Sequence, residues 1–381
     1  MSTPNVATPP RPSGQAPQAA LPFPIASRRM SRFSFTTGLQ TLSAGAPLPL
    51  SPIQIPAVGY LSYLNLEVTV TGTGGTTPAF TADAPFNVLQ AVEFKTASGN
   101  DIIVPVTGYQ LYQCNKYGAQ FTESPFSDAR LGRQYSAAAP SAHFFLQIPL
   151  EIDASTGYGS IPALASNRSY QLSLTLAAIG TLLSGAPGVT VTITGTAYYW
   201  SEPPAVTQSG MAQTTAPLGL GTLSQWQIEM PPVTPGDKYI KSNNTGNVIR
   251  TLIYTLRNAA GARIDVNGWP AVTELYLDNE PLLYLTANEW EDLMQKWYQF
   301  TAVAKDAPSG LDTGVYVIPF HCLAGGVAGG VTNSRAQLLP TLDASQLQIR
   351  GTSFGSAAST LEIITQSIVP VSSASLFSKL G

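Results

Sequence analysis

The amino-acid sequence predicts an all-β chain made of two β-sandwiches in tandem, each interrupted by one helix. Three observations lead there: a composition poor in charge and rich in turn formers, short alternating runs between turn clusters, and a second half that repeats the first. Only 11% of the 381 residues are charged, while 33 are Gly and 31 are Pro. About a quarter charged would be usual. Hydrophobic residues make up 44%, so cores can form, and the length suits two domains of roughly 100–200 residues. So few solvating groups suit a protein whose sides are covered by neighbouring copies.

The first 27 residues carry Pro4, Pro9, Pro10, Pro12, Pro17, Pro22 and Pro24, which disfavour helix interior and sheet ladder alike. They predict an extended arm, residues 1–32, ending in the basic cluster Arg28, Arg29 and Arg32. That cluster is the candidate contact to a neighbouring subunit or to whatever lies on the inner side of an assembly. From Phe33 the text becomes strand-like. Leu64-Asn65-Leu66-Glu67-Val68-Thr69-Val70 alternates with period two and runs into the turn signal TGTGGTT, as a half-buried strand should. Runs of the same kind follow at Val88–Phe94, Ile102–Val106, Phe144–Leu150, Tyr170–Leu176 and Val189–Tyr199. Residues 201–222 hold Pro and Gly without an apolar stripe, and predict a linker between a first unit, 33–200, and a second, 223–381.

The repeat carries the most weight. Ile103-Val104-Pro105-Val106-Thr107 leads into GYQLYQCNKYGAQF, and Leu282-Leu283-Tyr284-Leu285-Thr286 leads into ANEWEDLMQKWYQF. Between the threonines the offset is 286 − 107 = 179, and between Phe121 and Phe300 it is again 300 − 121 = 179. Each fourteen-residue segment follows a Thr suited to N-capping and lacks Pro, which predicts helices over 108–121 and 287–300. Thr286 and Glu289 have capping-box spacing. Trp290, Leu293, Met294, Trp297 and Phe300 form one apolar stripe. Further on, Phe145-Leu146-Gln147-Ile148-Pro149 corresponds to Tyr316-Val317-Ile318-Pro319; a Pro in each favours a sheet edge. The segments at Tyr170 and Val191 find counterparts at Gln346 and Leu361.

Chemistry finds little support. A formal net charge of −3 gives no overall field for nucleic acid. The two cysteines, Cys114 and Cys322, share no metal-binding spacing and are expected to be free structural thiols. His143 and His321 each adjoin a Pro-containing strand, without a converging partner set. Glu289, Glu291 and Asp292 fall in a first helical turn, where carboxylates complement the dipole. The Gly-rich run from Leu323 to Gly330 lacks the Lys-Ser/Thr ending of a phosphate loop and predicts a plain loop. No secretion signal or run long enough to span a membrane is visible.

In its two similar all-β halves, the helix inserted in each, and its Pro-rich arm, the sequence resembles the double jelly-roll major capsid proteins of tailless, membrane-containing icosahedral viruses, such as the tectivirus-like phages. The resemblance covers roughly residues 30–381 and is architectural, with no short diagnostic motif. It implies two eight-stranded jelly rolls standing upright in a shell, and a homotrimer of six rolls with a pseudo-hexagonal outline. Neighbouring trimers, penton and minor capsid proteins would be its partners. An internal viral membrane would be met by the arm. The location would be the virion, after synthesis in the host cytoplasm, with no enzymatic activity, no cofactor, no metal and no specific nucleic acid. A carbohydrate- or receptor-binding β-sandwich of a spike or adhesin is the alternative from another class, since aromatic residues reach 9%; a jelly-roll hydrolase would need paired carboxylates in a concave face.

Overall fold

A computed structural model describes residues 20–74, 80–95, 101–118, 141–153, 155–162, 169–185, 188–217, 222–236, 239–264, 268–298, 314–323, 338–352, 354 and 359–369. The architecture is all-β with inserted helices. Eight main strands form the first half: β1 (Arg29–Thr36), β2 (Ile53–Pro56), β3 (Tyr60–Thr73), β4 (Leu89–Lys95), β5 (Asp101–Val106), β6 (Ser141–Pro149), β7 (Ser169–Leu176) and β8 (Gly188–Trp200). The second half contributes β9 (Leu223–Glu229), β10 (Tyr239–Ser242), β11 (Val248–Asn258), β12 (Val272–Leu277), β13 (Glu280–Thr286), β14 (Val315–Pro319), β15 (Leu347–Gly351) and β16 (Ser359–Val369). Two-residue strands add to the margins.

In the first half the strands pair in the orders β1-β8-β3-β6 and β2-β7-β4-β5, and in the second in the orders β9-β16-β11-β14 and β10-β15-β12-β13. Each strand of one half has its counterpart eight strands later. This is the strand order expected of tandem jelly-roll sandwiches. The register repeats as well. Tyr63 on β3 lies opposite Pro149 and Tyr198, while Thr251 on β11 lies opposite Pro319 and Gln366. One residue earlier, at Ser62 and at Arg250, each strand bulges. The Pro-containing strands β6 and β14 stand at sheet ends, where no ladder neighbour needs the missing N–H.

Alternation builds the first core. Leu64, Leu66, Val68 and Val70 are fully buried while Asn65 and Glu67 are half-exposed on the other face. Each such side chain contributes about 1.5–3 kcal/mol of burial. The second core is aromatic: Trp269 stacks on Tyr316 with centroids 4.0 Å apart and meets Trp290 edge-on at 6.1 Å.

Helices α2 (Gly108–Tyr117) and α4 (Ala287–Tyr298) follow β5 and β13, in equivalent slots; residues 119–121 and 299–300 of the expected segments lie outside the described residues. Both carry capping boxes. The Thr286 hydroxyl accepts from the Glu289 amide at 3.2 Å and the Glu289 carboxylate accepts from the Thr286 amide at 2.7 Å. Gln110 plays the Glu289 part for Thr107. Three short helical turns complete the set: α1 (Phe23–Ala26), α3 (Ile179–Leu182) and α5 (Phe320–Leu323).

Two features differ from expectation. The first strand begins at Arg29 rather than Phe33, so Arg29 and Arg32 stand on β1, with Arg32 at a bulge. Further upstream, α1 forms within the Pro-rich stretch. Its prolines, Pro22 and Pro24, sit at the N-cap and in the first turn, where an amide hydrogen is not needed. Phe23, 3% exposed, packs between Tyr60 and Trp200. Residues 1–19 of the expected arm lie outside the described residues. Leu21 exchanges backbone hydrogen bonds with Ala212 and Thr214, in the segment between the halves.

Candidate assembly interface

The two halves meet through unlike surfaces. Helix α2 and the edge strand β5 of the first half press on β9, β11 and β16 of the second. At the edge, β5 and β9 run parallel with Ile103 opposite Trp226, both 1% exposed. This bridge joins the two halves into one continuous sheet. All ten residues of α2 are buried. Gln113 donates to the Thr255 hydroxyl at 2.9 Å, Gln110 donates to the Glu362 carboxylate at 3.1 Å, and the Tyr117 carbonyl accepts from the Tyr298 hydroxyl at 3.0 Å.

Around Tyr109 stands an ion network. Arg257 donates to Glu362 at 3.0 Å and to Asp83 at 2.8 Å, and Arg263 donates to Asp83 at 2.8 Å. Both guanidinium carbons lie over the Tyr109 ring, at 5.5 and 4.9 Å. Burial by itself would push Arg257 down; Glu362 and Asp83 reverse that and hold it above its usual range. Such buried pairs are costly to break from one side, because the remaining charge keeps its desolvation penalty.

The counterparts of these surfaces are open. At the 179-residue offset Tyr109, Gln110, Gln113 and Tyr117 correspond to Asn288, Glu289, Asp292 and Lys296, all exposed on α4. On β13, the counterpart of β5, Leu282 is 37% exposed and Tyr284 59%. Strand β11 is buried on both faces up to Arg257, whereas its counterpart β3 alternates, its outer face carrying the exposed Thr69, Thr71 and Thr73. Among the described residues no strand pairs with the outer edges of β1 and β13. One chain therefore uses one copy of each complementary surface and leaves the other copy uncovered.

Arg28 is exposed, and its amide donates to the Ser201 hydroxyl at 2.8 Å. Arg29 reaches Glu151 at 2.9 Å with its guanidinium 4.5 Å above the Trp200 ring. Burial raises the Glu151 pKa, with Ser62, Arg29 and Trp200 opposing. Arg32 is exposed. The structure gathers the three along one sheet edge.

His143 lies on the surface, 2.8 Å from Glu67. His321 is wholly buried, its Nδ1 3.5 Å from the Arg250 carbonyl. Burial and the Arg250 guanidinium push it down to about 3. The structure does not bring the two histidines into one group. Cys114 and Cys322 are free and buried, and burial pushes the Cys322 thiol up to about 12. Glu289 and Asp292 are solvated and Glu291 is half-exposed. Leu323 ends α5, and 324–330 lie outside the described residues. Trp200, Trp226, Trp269 and Trp290 are buried and Trp297 is half-buried, so none offers an open platform for a sugar.

Sequence reasoning missed Asp83, Arg257, Arg263 and Glu362. A signal existed: Arg257 ends a nearly continuous apolar strand and Glu362 interrupts another, in a chain where charge is scarce. Charged residues in such runs are buried only when paired.

The fold is shared with virus capsids. The STIV MCP crystal structure matches with a TM-score of 0.58 at 13% identity, over 93% of this chain and 99% of that one. An atomic structure of Sulfolobus Turreted Icosahedral Virus matches with 0.58 at 14%, over 90% and 91%. The PBCV-1 virus capsid matches with 0.56 at 12%, over 93% and 96%. No protein-family model and no curated protein matches the chain. Among the described residues no group of three or more His, Cys, Asp or Glu side chains could hold a metal ion. No helix among the described residues is long and apolar enough to cross a membrane.

Proposed function

We propose that this chain is a structural major capsid protein: two fused eight-stranded jelly rolls, 33–200 and 223–381 joined by 201–222, that tile an icosahedral shell as homotrimers. The observation that carries it is the one-sided use of the repeated surfaces. Helix α2 and strand β5 cover the second roll, while α4, β13 and the outer face of β3 stay open. Such a contact is heterologous, so repeating it between copies closes a ring or runs on as a filament. Two rolls per chain and six rolls per ring give three chains, with a near-hexagonal outline that tiles well.

Neighbouring trimers, penton and minor capsid proteins are the partners of such a unit, and the virion its location. The arm, expected over residues 1–32, ends at Arg28, since β1 starts at Arg29. An internal membrane is a partner for the arm upstream of the cluster, while Arg28, Arg29 and Arg32 serve as an assembly contact.

Sedimentation velocity on the purified protein tests this reading. A stable trimer at micromolar concentration is expected, and hexagonal outlines in electron micrographs. Monomer alone across that range overturns it.

A further inference from the structure

We infer that one copy's β13 edge pairs, parallel and in a defined register, with the β1 edge of the next copy, locked by Glu280 against the Arg28, Arg29 and Arg32 cluster. This rests on the ring-forming assembly proposed above and specifies its contact.

The register follows from the internal repeat. Within the chain, β5 meets β9 at Ile103 and Trp226. On β13 the counterpart of Ile103 also follows from pairing: Val106 and Ile103 lie opposite Val92 and Phe94, as Leu285 and Leu283 lie opposite Thr273 and Leu275, while Leu282 bulges, so Leu283 takes the place of Ile103. On β1 the counterpart of Trp226 follows from pairing: Trp226 lies opposite Gln366 on β16, and Ser31 lies opposite Tyr198 on β8. Gln366 and Tyr198 are themselves equivalent, since they face Thr251 and Tyr63. Ser31 of one copy therefore comes opposite Leu283 of the next. Three residues earlier on each strand, a parallel register sets Arg28 opposite Glu280.

Three properties of these edges fit a second copy of the chain. Both are terminal strands of their sheets, and a terminal strand offers unpaired backbone donors and acceptors to another strand. Leu282 and Tyr284 on β13 are exposed where β5 is covered at Ile103. The charges are complementary: Arg28, Arg29 and Arg32 cluster at the start of β1, and Glu280, exposed, opens β13. The Arg29 contact with Glu151 and Trp200 orders that side chain at the edge.

The contact differs from its internal counterpart in one respect. Where the internal bridge has the buried Trp226, β1 has Ser31, so apolar burial is smaller and charge matters more. Salt should loosen the contact between copies while leaving the two halves of one chain joined.

Cysteines at Ser31 and Leu283 test the register, because neighbouring strands lie about 4.8 Å apart, within disulfide reach. Native Cys114 and Cys322 are buried. Under mild oxidation the S31C/L283C variant should give covalent dimers and a closed covalent trimer on denaturing gels, and a mixture of the two single variants should give dimers only. As a second measurement, Glu280→Arg should weaken assembly about tenfold or more, and raised salt should do the same to the unaltered protein. A trimeric unaltered protein whose double variant, also trimeric, forms no cross-link overturns this register and leaves the proposed function standing. So does a Glu280→Arg variant that assembles as tightly as the unaltered protein. An unaltered protein that is monomeric at low salt overturns both.

Discussion

His321 makes the stability of the second half depend on acid. The imidazole is fully buried beside the Arg250 guanidinium, itself lowered by burial to about 10 and therefore still charged at neutral pH. A second positive charge there is penalised by burial and by Arg250, which is why His321 titrates at about 3 against 6.5 when unfolded. The folded pKa is the lower one, so the unfolded chain binds the extra proton below about pH 6.5, and stability falls as pH drops through that window until His321 charges near 3. The slope is about 1.4 kcal/mol per pH unit. Between about pH 7 and about pH 5 the loss from this one group is then about 2 kcal/mol. Replacing it by His321→Gln, which cannot protonate, removes that component. Urea unfolding of both proteins at the two pH values measures it: the unaltered protein should lose about 2 kcal/mol more than the variant. The chain has only two histidines, so imidazole NMR can follow His321 directly. Equal losses in the two proteins, or a His321 signal titrating near its unfolded value, would refute the argument.

Two further expectations concern the junction and the arm. Arg257→Met leaves Glu362 buried without its guanidinium and should cost about 3–5 kcal/mol in urea unfolding, with Arg257→Met/Glu362→Leu recovering part of it; a loss under about 1 kcal/mol would show that the network does not hold the halves together. Removal of residues 1–19 should leave the melting temperature unchanged, whereas Phe23→Ala, which empties the site between Tyr60 and Trp200, should cost about 3 kcal/mol by thermal unfolding. Equal melting temperatures for Phe23→Ala and the unaltered protein would place α1 outside the fold.

Much of the architecture was legible because its signals are local. Alternation at Leu64–Val70, the Thr before each helix, and a Pro in each of the strands ending at Pro149 and Pro319 depend on neighbours within a few residues, and the 179-residue repeat tied the halves together. The start of β1 was not, since Arg28-Arg29-Met30-Ser31-Arg32 has no alternation. It becomes a strand because β8 supplies its ladder and the bulge at Arg32 absorbs the broken period. Phe23 looked like one more residue of a Pro-rich arm, and only the pocket between Tyr60 and Trp200 buries it.

Periodicity and capping are enough to specify the fold class, the duplication and the two helices. Which surfaces are used emerges only from packing. Gln113 and Asp292 hold the same place in the repeat, yet one is buried against Thr255 and the other solvated. That difference comes from packing: α2 of the first roll lies against β11 and β16 of the second, whereas this face of α4 meets solvent, so two nearly equivalent surfaces acquire opposite fates.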